Sequence, residues 1–245
     1  MIFKRIIPSL LLKNFRLVKG RNFEDYLDAG DPIKTIKANC DQGADEIILS
    51  IIDKNYNQYQ KLLNEISRNC NVPLCIYGGV KTLEDAQFYF RNGADKVGVN
   101  SYGLINKNIF NTLAKVYGSQ SICSTINYIS EPNKIFDFHS GQVKDVKIYE
   151  YIKEIQDNGV GEIKITNVSK EGTLTGPDEN MNELLKYIKV PLIYEGGISR
   201  VSDIKSLFDK GVNSVALGAL LVFKDMNIVN IKSKLFDLNE NVRLN

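Results

Sequence analysis

Short runs of β-branched and other apolar residues alternate with amphipathic segments along the whole chain. The apolar runs are typical of buried strands, and apolar residues spaced three or four apart are typical of helices that cover a sheet. This pattern predicts eight strands, at residues 5–11, 46–51, 74–77, 96–99, 122–127, 162–166, 192–194 and 214–217. It also predicts eight helices, at residues 32–42, 56–69, 83–92, 107–117, 147–158, 179–187, 202–210 and 228–236.

The order of these elements indicates the fold class. Strands that are separated by helices of about 10–15 residues form parallel sheets, because each helix returns the chain to the same edge. Eight such units in 245 residues predict an α/β protein with a closed (β/α)8, or TIM, barrel. A flavodoxin-like open sheet is the alternative that this pattern leaves.

An internal repeat supports the closed barrel. Residues 72–80, Val-Pro-Leu-Cys-Ile-Tyr-Gly-Gly-Val, return 118 positions later at 190–198 as Val-Pro-Leu-Ile-Tyr-Glu-Gly-Gly-Ile. The offset is close to half of the chain length. We therefore expect a single domain, 1–245, built from two (β/α)4 half-barrels at about 1–120 and 121–245.

Composition and charge exclude several classes of protein. The chain carries 31 Lys and Arg against 29 Asp and Glu, a formal charge of +2, so no nucleic-acid binding driven by bulk charge is expected. No apolar run approaches the ~18 residues of a membrane span, and the start of the chain does not read as a signal peptide. Four cysteines without a CxxC pair favour reduced thiols in the cytoplasm. With one histidine, neither a metal site nor a cofactor is expected.

Glycine-rich turns follow several of the predicted strands, at the end of a barrel where active sites lie. Glycine lets backbone N–H groups approach an anion, so these turns are candidate phosphate loops. Single Gly-Gly turns often do no more than close a loop, but here they recur at repeat-related positions. The predicted phosphate-binding residues are Gly79, Asn100, Ser101, Gly172, Gly197, Gly218 and Ala219. They imply a small ligand with phosphoryl groups at opposite sides of the barrel.

Several longer stretches carry a family resemblance through their order and spacing. They are Lys4-Arg5-Ile6-Ile7-Pro8, Val18-Lys19-Gly20, Asn22-Phe23, Gly30-Asp31-Pro32, Gly43-Ala44-Asp45-Glu46, Gly93-Ala94-Asp95-Lys96-Val97, Asn100-Ser101, Gly159-Val160-Gly161-Glu162-Ile163, Gly172-Thr173 and Asn241-Val242-Arg243-Leu244. With them the chain resembles the cyclase subunit of imidazole glycerol phosphate synthase (HisF) over almost its full length. The resemblance implies that the N-terminal face of the barrel docks onto a glutaminase subunit, whose ammonia passes through the barrel to the opposite face.

Charged residues begin four of the predicted strands: Arg5, Glu46, Lys96 and Glu162. Two cations and two anions at one end of a barrel can pair in a ring. From their spacing alone, it is an equally good interpretation that the four side chains are exposed to solvent at the starts of their strands and do not contact one another. The resemblance implies a salt-bridged ammonia gate at these four positions.

The acid–base pair of the family is missing from this sequence. The resemblance implies aspartates at the ends of the first and fifth strands, where this chain has Leu11 and Asn127. Leucine cannot transfer a proton, and asparagine does not titrate. The catalytic residues are therefore unknown, and the candidates are Lys19, Asp53, Asn127, Glu171 and Glu195. Of these, Glu195 stands where the family has a small residue, so it would repel a phosphate unless another group pairs with it.

These differences favour a paralogue that receives ammonia but acts on a different substrate. Paralogues of this type are associated with surface-polysaccharide (lipopolysaccharide) pathways, in which ammonia serves amidination of a nucleotide-linked sugar. One alternative is a true cyclase subunit of histidine biosynthesis, a lyase. Another is a non-catalytic activator or scaffold of the glutaminase, and the related single-chain isomerase of histidine biosynthesis is the last.

Overall fold

The computed structural model describes residues 3–130 and 134–244, so the ends of the expected domain, residues 1–2 and 245, lie outside the described residues. Twelve strands form one sheet within these residues. They are β1 (Arg5–Lys13), β2 (Arg16–Arg21), β3 (Glu24–Gly30), β4 (Ile47–Ile51), β5 (Leu74–Tyr77), β6 (Lys96–Val99), β7 (Ile122–Tyr128), β8 (Lys134–Asp137), β9 (Gln142–Asp145), β10 (Glu162–Asn167), β11 (Leu192–Glu195) and β12 (Ser214–Leu217).

Eight of these strands close into a parallel barrel. Its order is β1-β4-β5-β6-β7-β10-β11-β12, and β12 pairs back with β1. The pairing of β7 with β10 is parallel and places Asn127 opposite Thr166. The predicted TIM barrel is therefore confirmed, and closure excludes the open sheet.

Ten α-helices accompany the strands in the described part of the chain. They are α1 (Pro32–Asp41), α2 (Gln60–Asn69), α3 (Leu83–Arg91), α4 (Ser101–Ile105), α5 (Asn108–Tyr117), α6 (Ile148–Asp157), α7 (Asn182–Leu185), α8 (Val201–Asp209), α9 (Ala219–Phe223) and α10 (Ile228–Asp237). The predicted helix 56–69 begins with a 3-10 turn, Tyr56–Tyr59. The predicted helix 179–187 is the poorest match, because a 3-10 turn, Glu179–Met181, precedes the four residues of α7.

Capping residues explain several helix starts. Asp31 accepts a hydrogen bond from the backbone nitrogen of Lys34 at 2.9 Å, and Pro32 occupies the first turn of α1. Thr82 and Asp85 form a capping box at the start of α3.

No helix in residues 3–130 and 134–244 is both long and apolar enough to cross a membrane.

Two antiparallel hairpins extend from the ends of barrel strands. β2 and β3 follow β1, and β8 and β9 follow β7. Because both follow carboxyl ends of barrel strands, both lie at the same end of the barrel, which we call the mouth. The ring of Phe23 packs against Phe136 and Phe138, at centroid distances of 5.7 and 5.6 Å. This aromatic contact joins the two hairpins.

A second group of buried residues is separate from the main core between strands and helices. On β1 and β12 its members come two positions after Arg5 and Ser214, and alternate residues of a strand share one face. This face of the strands points into the barrel, so the group fills the barrel interior. The interior cluster comprises Ile7, Ile48, Cys75, Tyr77, Cys123, Ile193 and Ala216. All four cysteines of the chain are free.

Candidate functional site

Four charged side chains meet at the end of the barrel where the strands begin. One terminal nitrogen of Arg5 lies 2.8 Å from Glu46 Oε2, and the other contacts Glu162. Lys96 Nζ lies 2.8 Å from Glu46 and 2.9 Å from Glu162. Each cation thus bridges both anions. The structure brings these four predicted residues together in a closed arrangement, which we call the charged ring.

The two carboxylates of the charged ring are buried, so their charges depend on pairing with Arg5 and Lys96. The side chains of Glu46 and Glu162 are 2% and 5% exposed. Burial raises the pKa of Glu46 although Lys96 opposes the shift. Burial alone would lower the pKa of Lys96, but the two carboxylates outweigh it and raise that pKa. Among the described residues, Glu46 Oε1 has no hydrogen-bond partner, so the ring keeps one spare acceptor.

Tyr77 lies across the barrel interior above the charged ring. Its hydroxyl donates to Cys123 Sγ at 2.7 Å, and Lys164 Nζ lies 5.1 Å from the centre of its ring. A β-carbon added at Gly98 would lie 1.8 Å from two carbons of the ring, so the ring rests directly on the Gly98 backbone. Three contacts therefore hold the aromatic side chain of Tyr77 in place between the charged ring and the mouth.

This contact gives a testable expectation at Gly98. Replacement by alanine should lower the free energy of unfolding by about 1–3 kcal/mol, because the methyl group overlaps the Tyr77 ring. The penalty should shrink in a Tyr77→Ala background, where the obstruction is gone. Urea unfolding of the two single variants and the double variant measures this. Equal penalties in both backgrounds would contradict the packing described.

Two buried lysine–glutamate pairs lie at the mouth. Lys164 Nζ is 2.6 Å from Glu195 Oε2, which also accepts from Thr166 Oγ1 at 3.1 Å. Lys19 donates to Glu171. Burial alone would raise the pKa of Glu195, but Lys164 and Lys19 outweigh it and lower that pKa. Glu195, which the sequence analysis required to have a partner, is thus neutralised by Lys164.

Lys19 is the second cation at the mouth. Burial lowers the pKa of Lys19 to about 8, against the attraction of the Glu195 carboxylate. Its ammonium lies 3.2 Å from the position that a β-carbon at Gly218 would take. Lys19 is therefore an amine that can gain or lose a proton near neutral pH, beside one of the predicted phosphate loops.

The C-terminal half of the barrel has a small cleft of about 20 Å³ at the mouth. Lys19, Glu171 and Glu195 line it together with four predicted phosphate-binding residues: Gly172, Gly197, Gly218 and Ala219. Gly197 has a φ of +80°, and a β-carbon there would lie 2.1 Å from the carbonyl oxygen of Gly176. The close approach of the two loops therefore requires glycine at this position.

The N-terminal half is arranged differently. Gly79 lies under the ring of Tyr56, since a β-carbon at Gly79 would be 2.7 Å from a ring carbon. Asn100 precedes the short helix α4, and the Ser101 hydroxyl accepts a hydrogen bond from the His139 backbone nitrogen at 3.1 Å. The structure therefore places Gly79, Asn100 and Ser101 apart from the cleft, with a hairpin contacting Ser101.

The positions that lack aspartates lie at the mouth. Leu11 pairs with Ser50 on β4 and Val18 on β2 and is half-buried. Asn127, which is 3% exposed, lies on the opposite side of the barrel wall. Asp53 does not line the cleft: it accepts from the Asn14 backbone nitrogen at 2.8 Å and from the Tyr59 hydroxyl, so it anchors the turn between β1 and β2.

Lys164 is a residue of the site that the sequence analysis missed. Lys164 had a usable signal, because in Glu-Ile-Lys-Ile-Thr (residues 162–166) charged and apolar residues alternate. Residues two apart share a face, so Lys164 had to point into the barrel with Glu162.

Within residues 3–130 and 134–244, no three His, Cys, Asp or Glu side chains are grouped as metal ligands.

Comparison with known proteins agrees with this architecture. The profile of the histidine biosynthesis protein family matches residues 5–227. The chain is 32% identical to the imidazole glycerol phosphate synthase subunit HisF of Flavobacterium psychrophilum over 252 residues, covering 100% of both chains. It is 33% identical to the subunit of the same name from Helicobacter hepaticus, covering 98% of both, and 30% identical to that of Campylobacter jejuni, covering 100% of both. The chain therefore belongs to the histidine biosynthesis protein family, as a HisF-like member.

Proposed function

We propose that this chain is the ammonia-accepting subunit of a glutamine amidotransferase complex and that it does not catalyse imidazole cyclisation. Its ammonia would serve amidination of a nucleotide-linked sugar in surface-polysaccharide biosynthesis. The observation that carries the proposal is an intact charged ring at one end of the barrel, combined with Leu11 and Asn127 at the other end.

The charged ring supports passage of ammonia. Two buried carboxylates are costly unless they are paired with cations, so the presence of the charged ring favours a functional role for it. The spare Glu46 Oε1 can accept a hydrogen bond from an N–H group that passes through the ring. A glutaminase subunit docked at this N-terminal face, in the cytoplasm, would deliver ammonia directly to it.

The mouth supports a change of chemistry. Neither Leu11 nor Asn127 can act as a general acid or base. Lys164 and Lys19 hold Glu195 ionised and lower its pKa, so it could take up a proton only as a weak base. Lys19, with a pKa of about 8, is the group that can donate a proton near neutral pH. Any proton transfer that the chain performs on its substrate would use these two residues.

A second candidate is a true cyclase subunit of imidazole glycerol phosphate synthase. Identities of 30% to 33% over full-length chains of that name favour it. This function would require an acid–base pair relocated to Lys19, Glu171 or Glu195. The observation against it is that both positions expected to hold aspartate lack a titratable group.

A cyclisation assay separates the two candidates. The purified chain is mixed with the ribulosyl precursor of imidazole glycerol phosphate and an ammonium salt at mildly alkaline pH. We expect no turnover, because loss of one general acid or base already costs about 10²–10⁴-fold. The double variant Leu11→Asp/Asn127→Asp should gain measurable turnover.

The matched control is Leu11→Asn, which adds a polar group at the same position but no titratable proton. It should stay inactive alongside the unchanged chain. Steady turnover by the unchanged chain would overturn the proposal and assign the cyclase function instead.

A further inference from the structure

Two cysteines lie close together at the end of the barrel where the strands begin. Cys40 is in the last turn of α1, which leads into β4, and Cys70 directly follows α2, which leads into β5. The two Sγ atoms are 3.8 Å apart, and both thiols are free. A disulfide holds its sulfur atoms about 2.05 Å apart, so the two atoms have to approach by less than about 2 Å to form a bond.

The two thiols differ in reactivity. Hydrogen bonding with Cys70 lowers the pKa of Cys40 to about 7, although burial opposes the shift. The same contact raises the pKa of Cys70. The thiolate is the form of cysteine that attacks a disulfide. Cys40 is therefore the first thiol to react, and Cys70 is placed to react second.

Access to solvent distinguishes this pair from the other cysteines. Cys40 lines a second, larger cleft, of about 420 Å³, at the end of the barrel where the strands begin. Cys70 is half-buried. Cys75 and Cys123 also contact each other, but both are 0% exposed and belong to the interior cluster. A reagent in solution can therefore reach the first pair and not the second.

We propose that Cys40 and Cys70 form a reversible thiol–disulfide site for a small disulfide of the glutathione disulfide class. The Cys40 thiolate attacks one sulfur of the oxidant, so that a mixed disulfide forms and one glutathione thiolate leaves. Cys70 then loses its proton to solvent and attacks the Cys40 sulfur. The Cys40–Cys70 bond forms, and the second glutathione leaves as a thiolate. The chain loses two electrons, and the oxidant is reduced to two thiols.

The bond has a structural consequence beside the charged ring. It joins α1 to α2 and closes a loop that spans 30 positions of the chain. Such a crosslink restricts the unfolded chain, so the oxidised form is the more stable one. Asp45 lines the same second cleft and directly precedes Glu46, so the bond also restrains the loop that leads to the charged ring. This chemistry needs neither ammonia nor a partner subunit, so it stands or fails independently of the proposed function.

Peptide mapping of the full chain tests the proposal. The folded chain is incubated with glutathione disulfide near neutral pH and quenched with acid, and the remaining thiols are alkylated after unfolding. We expect a crosslinked Cys40–Cys70 peptide that disappears on reduction with dithiothreitol, while Cys75 and Cys123 carry the alkyl label. The oxidised chain should melt about 5 °C or more above the reduced chain.

Two matched variants separate the roles of the two thiols. Cys70→Ser should retain glutathione on Cys40 as a stable mixed disulfide, because no second thiol is present to displace it. Cys40→Ser should form no crosslink, and its Cys70 should react with glutathione disulfide about threefold or more slowly than Cys40 does in Cys70→Ser. Cys75 and Cys123 are the internal control in every sample, because they are close to each other but buried.

Three results would overturn the proposal. The first is alkyl label on both Cys40 and Cys70 after exposure of the unchanged chain to the oxidant. The second is a Cys75–Cys123 crosslink that forms equally fast, because access would then not select the pair. The third is a melting temperature that falls on oxidation, because the folded chain would then not accommodate the bond. All three are measured on the unchanged chain, so the test remains valid even if a serine variant fails to fold.

Discussion

Replacement of Glu162 by glutamine is expected to lower the free energy of unfolding by about 3 kcal/mol, because it leaves Arg5 and Lys96 with one carboxylate between them in a buried site. The cost arises from uncompensated charge, since Glu162 and glutamine have nearly the same shape. Urea unfolding near neutral pH measures the difference.

Glu183→Gln is the matched control, because Glu183 also pairs with a lysine, Lys186, but its side chain is 63% exposed. Its effect should stay within about 0.5 kcal/mol. If the two variants lose the same free energy of unfolding, the charged ring is a surface ion pair in energetic terms and the buried-ring account fails.

Lys164→Met is expected to lower the free energy of unfolding by a similar amount, about 3 kcal/mol. The reason is that it leaves the buried Glu195 carboxylate without its lysine partner. Methionine keeps the length of the side chain, so packing against Tyr77 is largely retained. The double variant Lys164→Met/Glu195→Gln should recover most of the loss, since the amide is neutral and Thr166 can still donate to its oxygen.

A double-mutant cycle measures this coupling by chemical denaturation. The third corner is Glu195→Gln alone, which leaves Lys164 without its anion and should also destabilise the chain. Strictly additive losses among the three variants would show that the two charges do not depend on each other.

The fold could be predicted from the sequence because buried strands and helices place apolar residues at regular intervals along the chain. Strands β5, β6 and β12 have the predicted bounds, and the other barrel strands differ by one or two residues. The segment 179–187 forms a 3-10 turn and the four-residue α7 instead of one helix, and nothing in the structure explains that break. The β2–β3 hairpin was not predicted, because β3 is mostly exposed and carries no apolar period.

The site was predictable to different degrees at its two ends. The charged ring could be expected because its members all stand at strand starts, where register brings them together. The Lys164–Glu195 pair joins residues on neighbouring strands, β10 and β11. Its prediction required knowing which side chains of each strand point into the barrel. The aromatic contact with Phe23 sets the position of the β8–β9 hairpin, and local sequence does not encode that contact.

The two hairpins also determine where this molecule can associate wrongly with its own copies. Closure of the barrel pairs both sides of every barrel strand, whereas β3 and β9 have one neighbour each among the described strands. Unpaired strand edges are templates for aggregation, and charged side chains along an edge oppose it. β3 carries Glu24, Asp25 and Asp28, and β9 carries Lys144 and Asp145. The chain thus confines its only open edges, within the described residues, to the mouth and protects both with charge.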